Sequence, residues 1–146
     1  MVLICFSFFS CKFPEYYARV EEVNINFKID LTNYTENYNY LYASIYDASG
    51  IKTKNKGEFT YQNIDFDTLP NGYSVKKAVK VGEKLDLTIN NVPVGLNAIV
   101  VVELLNNFGN TSTVVYGGVS DVFTIENSSN YKINLENLTV LKKLVY

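Results

Sequence analysis

Histidine and tryptophan are absent from this 146-residue chain, and cysteine, methionine and proline number only two, one and three. Without histidine there is no ordinary proton carrier near neutral pH, and the commonest metal ligand is missing. The Ser-His and Cys-His pairs of nucleophilic hydrolases are therefore excluded. Two cysteines cannot complete a structural zinc site, which takes four ligands. No apolar run reaches the roughly 18–20 residues that cross a bilayer as a helix. A net charge of −2 leaves no basic field for nucleic acid. Basic charge is also missing from the opening residues, where nothing positive precedes Lys12.

Acids are present, fifteen of them, but they lie scattered on strand faces and turns. No pair stands out as the two carboxylates of a glycoside hydrolase. Asp65 and Asp67 have the two-residue spacing of oxygen-ligated calcium sites, yet the glycine and the bidentate glutamate of an EF-hand loop are lacking. A solvated loop is the expectation there. The chain is accordingly read as non-enzymatic, with no catalytic residue, no metal ligand and no cofactor.

What is abundant is asparagine, lysine, isoleucine, tyrosine and phenylalanine, together roughly two-fifths of the residues against their average usage. All five have AT-rich codons, so a base-composition bias explains much of the excess. Four Asn-x-Ser/Thr triplets, beginning at Asn33, Asn110, Asn127 and Asn137, follow from so much asparagine. They are glycan acceptors only in a eukaryotic secreted protein.

The apolar pattern is that of strands. Val23, Ile25, Phe27, Ile29 and Leu31 alternate with polar residues, the period of a half-buried strand. NYLYASIYD places Leu41, Ala43 and Ile45 on one face, with Tyr40, Tyr42 and Tyr46 on the other. Lys52, Lys54 and Lys56 suit a solvated sheet edge. GEFTYQNI fits a short strand, and YSVKKAVKV fits a strand or a single helical turn. From Lys84 the alternation is emphatic, with Leu85, Leu87 and Ile89 inward. PVGLN then turns the chain into AIVVVELL, an almost wholly apolar strand in which Ile99 and Val101 are expected to be buried. TSTVVY, DVFTIE and YKINLENLTV supply up to three more. Short strands punctuated by Gly, Pro and Asn turns predict an all-β antiparallel sandwich of about seven to eight strands. One domain is expected from residue 19 to 146, preceded by a separate segment over residues 1–18.

That first segment, MVLICFSFFSCKFPEYY, is apolar or cysteine at nine of its first eleven positions and then turns polar at once. Val2 to Ser10 has the length of a signal-peptide h-region. Ser10-Cys11 resembles the lipobox of bacterial lipoproteins, which are cut before a cysteine that takes lipid. The usual pattern has leucine three residues before the cysteine and a small residue two before it. Phe8 and Phe9 stand there instead. A buried strand, continuous in its apolar residues, is the competing reading. A Cys5–Cys11 disulfide is a third, although no turn residue lies between the two to bring them together.

LTINNVPVGLNAIVVVEL and GGVSDVFTIENSSNYKINL resemble the small immunoglobulin-like or prealbumin-like modules of bacterial surface proteins, over roughly residues 84–138. Pro93 presets φ and Gly95 accepts positive φ at the turn between the strands. Such modules serve as spacers, adhesins, stalk elements and carbohydrate binders, so the resemblance implies a fold and no one activity. It implies, with the lipobox, a bacterial envelope protein held at a membrane by lipid on Cys11. Its partner would be a surface glycan or a protein. The expected contact patch is the face of Tyr40, Tyr42 and Tyr46, since an exposed tyrosine offers a flat apolar ring with a polar tip. The plainer account is that tyrosine is simply a good strand former. A surface-fibre subunit, paired edge to edge, is the remaining possibility.

Overall fold

The computed structural model describes residues 20–56, 58–107, 112–127, 130–131 and 139–140. The opening segment, with Cys5 and Cys11, lies outside them. Among the described residues nine strands run in chain order: β1 (Glu22–Asp30), β2 (Tyr40–Asp47), β3 (Tyr73–Ala78), β4 (Lys84–Pro93), β5 (Asn97–Leu105), β6 (Val114–Val119), β7 (Phe123–Thr124), β8 (Asn130–Tyr131) and β9 (Thr139–Val140). They form two sheets, one ordered β4-β1-β8 and the other β3-β2-β5-β6-β9, with β7 also on β5. Every pairing is antiparallel except that of β1 with β8. The fold is the expected all-β sandwich. GEFTYQNI contributes no strand, only a bridge between Thr53 and Ile64. YSVKKA is a strand, not a helical turn.

The alternation in β1 and β4 does what period two requires. Ile25, Phe27 and Ile29 face Leu41, Ala43, Ile45, Val100, Val102 and Leu104 across the sandwich. Leu85, Leu87 and Ile89 join them from β4, opposite Ile29, Phe27 and Ile25 in register. The register shifts once, between Val23 and Ile25, where Asn90 and Asn91 together oppose Asn24. Asn91 has φ 58°, a left-handed conformation that asparagine tolerates. Its N–H is held by the Asn24 carboxamide oxygen at 3.3 Å. This β-bulge turns Val92 fully inward. Val23, expected in the core, is left only half-buried against it.

Ile99 and Val101 are buried as expected but not in the core expected for them. The residues of β5 that face the sandwich are Ala98, Val100, Val102 and Leu104. Ile99 and Val101 point to the opposite face and meet Ile64 in a second core, with Tyr46, Ile51, Phe59, Tyr61, Leu69 and Val119 around it. The cause is the 25-residue connection from residue 48 to 72, which folds back over the outer face of the larger sheet. An all-apolar strand is the signature of burial on both faces, so β5 carries two cores. Lys52, Lys54 and Lys56, read as a sheet edge, are instead exposed on this flap.

Candidate functional site

Alternation along β2 puts Tyr40, Tyr42, Ser44 and Tyr46 on the outer face of the larger sheet, opposite the sandwich core. Cross-strand register extends that face in rows. Lys76 of β3 is the partner of Tyr42, which is the partner of Glu103 on β5, which is the partner of Gly117 on β6. The next row holds Ser74, Ser44, Val101 and Val119. Tyr46 pairs with Ile99 beyond it.

The flap is locked onto this face by Tyr61, whose hydroxyl donates to Glu103 Oε1. The Tyr61 ring lies flat against β6, where a Cβ on Gly117 would come within 2.5 Å of it. Only glycine leaves room for that approach. Burial, and then the Glu103 carboxylate, push the Tyr61 phenol far above the ordinary tyrosine range. Burial also raises Tyr46, an effect that the neighbouring Ser44 hydroxyl partly offsets. The Tyr46 ring is backed by Gly72, where a Cβ would come within 2.6 Å of it. Lys76 Nζ stands 5.6 Å from the centre of the Tyr42 ring, within cation–π reach.

The flap itself is organised by one buried side chain. Asn63 Nδ2 donates to the carbonyls of Asn55 at 2.9 Å and Glu58 at 2.6 Å, and its Oδ1 accepts from the Asn55 N–H at 2.6 Å. Nothing in the local sequence distinguishes this asparagine from its many neighbours. The cluster of Tyr42, Tyr46, Tyr61, Ser44 and Glu103 was equally hidden, because it joins residues up to 61 positions apart through sheet register and the fold-back of the flap.

The three tyrosines expected as a contact patch thus differ. All are half-buried. Tyr46 is part of the second core, whereas Tyr40 and Tyr42 take no part in it. The other tyrosines of that stretch are structural. Tyr38 is buried, donates to the Tyr34 carbonyl at 3.0 Å and accepts from the Gly82 N–H at 3.1 Å. Tyr34 and Tyr38 both meet Tyr116 edge to face, with ring centres 4.9 and 6.1 Å apart.

Asp65 precedes a single 3-10 turn at Phe66–Thr68, and Asp67 lies within it. No group of three or more candidate metal-ligating side chains occurs among the described residues. No described helix is long and apolar enough to cross a membrane. A shallow open depression of about 330 Å³ lies on the other sheet, lined by Lys28, Asp30, Lys84 and Asp86 with the backbone between them. Its charges oppose one another across the strands, Lys28 to Asp86 and Asp30 to Lys84, so they favour no ligand of one sign. Comparison of the chain with family models, with curated proteins and with solved structures finds no match.

Proposed function

We propose that this chain is a non-enzymatic binding module of a bacterial cell envelope, tethered to a membrane through lipid on Cys11. The observation that carries the binding role is the cluster of Tyr42, Tyr46, Tyr61 and Glu103 on the outer face of the larger sheet. A sheet face that only has to be soluble is covered by charged and small polar side chains, as the outer face of β1 and β4 is by lysine, aspartate, threonine and asparagine. Phenols packed around a half-buried carboxylate combine ring faces with hydrogen-bonding tips, the composition of recognition surfaces.

The sandwich is, in this reading, of the immunoglobulin-like kind. The support is strand order: β6-β5-β2-β3 against β4-β1 matches the order G-F-C-C′ against E-B of that fold, in the same chain sequence. It departs where β8, parallel and from the C-terminal part, stands beside β1.

The test uses the full chain expressed in a bacterium with its opening segment intact. Envelope fragments from the same cells should retain the purified protein, and Tyr42→Ala should weaken that retention at least tenfold without lowering the melting temperature. Equal retention of both proteins would remove the outer face from the function.

A further inference from the structure

We propose that Asn71-Gly72 is a site of spontaneous backbone modification, at which the chain converts itself to an isoaspartyl form and releases the flap from the larger sheet. Asn71 is the one asparagine of the sequence that precedes glycine. Both residues are exposed and lie outside any strand, at the last step of the flap before β3 begins at Tyr73. Among the described residues neither makes a hydrogen bond. The Gly72 N–H is therefore not committed to the β2–β3 ladder, which ends at the pair of Ile45 and Tyr73. A glycine nitrogen also has no adjacent Cβ to shield it, and its backbone is the freest of any residue.

The reaction needs only water. The Gly72 nitrogen attacks the Asn71 carboxamide carbon and an N–Cγ bond forms. The Cγ–Nδ2 bond breaks, and the Gly72 amide proton leaves with Nδ2 as ammonia. The product is a five-membered cyclic imide, which water then opens at one of its two carbonyls. Opening at Cγ gives aspartate in an ordinary backbone. Opening at the main-chain carbonyl gives isoaspartate, whose backbone runs through Cβ and Cγ and is one atom longer. Nothing is oxidised or reduced.

Packing preserves the labile pair and sets the consequence. A Cβ on Gly72 would lie 2.6 Å from the Tyr46 ring and 2.8 Å from the Ile45 carbonyl oxygen, so no larger residue can stand there and slow the attack. Pro70 lies 3.3 Å from where a Cβ on Gly50 would be, so the two ends of the flap meet beside the site. Leu69 packs against the second core. An added backbone atom finds no slack here: Gly72 cannot advance into Tyr46, and Pro70 and Leu69 must shift outward. What holds the flap down is slight. The backbone hydrogen bonds described for residues 51–68 all stay within it, and among the described residues Tyr61 to Glu103 is the side-chain bond that joins it to the sheet. A push at its returning end lifts it as a unit.

The experiment ages the full chain in warm, mildly alkaline buffer and follows it by peptide mapping, with electron-transfer fragmentation to tell isoaspartate from aspartate. The other asparagines in the same map are internal controls. Asn71 should exchange ammonia for water at least tenfold faster than any of them, with isoaspartate the main product. Conversion no faster than theirs overturns the site. Hydroxyl-radical labelling then reads side-chain exposure in the aged protein, in aged Asn71→Gln and in fresh Asn71→Asp, which carries the new charge without the extra backbone atom. Labelling of Tyr46, Ile64 and Leu69 should rise at least threefold in the isoaspartyl protein and in neither variant, with Phe27 unlabelled throughout. An equal rise in fresh Asn71→Asp makes charge the cause and overturns the backbone mechanism. No rise in the isoaspartyl protein overturns the release of the flap.

Discussion

Single side chains in this protein carry different kinds of weight. Phe27 is fully buried at the centre of β1, opposite Leu87 and against the inner residues of β2 and β5. Phe27→Ala leaves a cavity that neighbouring strands cannot close, and its cost should be about 3–5 kcal/mol, read as a lower urea midpoint with unchanged slope. Asp30 acts at the opposite extreme of exposure. The Lys84 ammonium, 2.8 Å away, and then the Thr32 hydroxyl and N–H hold its carboxyl well below the usual carboxylate range. Its proton affinity is lower folded than unfolded, so the stabilisation is complete above the ordinary aspartate value of 3.8 and is lost as pH falls below it. Thermal melts from pH 7 down to pH 2 should show a steeper acid loss for wild type than for Asp30→Asn. The difference will be modest, since the pair is solvent-exposed.

Elements were legible in this sequence wherever one face of a strand meets the core and the other meets water. β1 and β4 have that character, and their alternation located their buried residues save Val23. On β2 it located Leu41, Ala43 and Ile45 but not the covering of Ser44 and Tyr46 by the flap. It failed on β5, because a strand buried on both faces has no alternation to read, and on the flap, whose order comes from Asn63 and Tyr61 rather than from periodicity. The same limit hid the candidate site. Tyr42 was visible as an outward residue, but Glu103 and Tyr61 reach it only through register and a fold-back of the chain. The flap is therefore the element whose stability should be separable from the rest. Asn63→Ala strands two carbonyls and one N–H of its frame, a cost of about 1–3 kcal/mol per buried group left unsatisfied. Amide exchange should accelerate at Lys54, Ile64 and Asp65, which are bonded within the flap, and remain slow in β1 and β4. Uniform acceleration would mean that flap and sandwich open as one unit.

At the scale of the whole molecule, strand direction decides what an anchored domain presents. β1 starts at Glu22, beside the Pro93 end of β4, where Val94 N–H bonds the Glu21 carbonyl at 2.8 Å. It ends at Asp30, beside Lys84. β2 begins at that far end with Tyr40 and returns to Asp47. Tyr40, and Tyr42 after it, therefore lie toward the end of the sandwich remote from Glu22, while Tyr46, Ile99 and the flap core lie toward the near end. A chain entering at Glu22 from a lipidated Cys11 thus has the flap-covered half of the sheet face beneath the open half. Ten residues, and so eleven steps along the chain, separate Cys11 from Glu22, and at about 3.3–3.6 Å per step they reach at most roughly 40 Å. In the proposed lipidated form, that reach would let the domain stand clear of a membrane, with the Tyr40–Tyr42 end the one remote from the point of entry. Each buried CH₂ of an acyl chain contributes about 0.8 kcal/mol, so a multiply acylated cysteine would remain attached. Expression of the full chain followed by fractionation should place wild type with membranes and Cys11→Ala in the soluble fraction, each with the same melting temperature. Mass spectrometry of the membrane-bound form should find Cys11 as the first residue, carrying lipid. An intact LICFSFF peptide in that form, or membrane retention of Cys11→Ala, would assign the opening segment to the fold and leave the outward orientation without its cause.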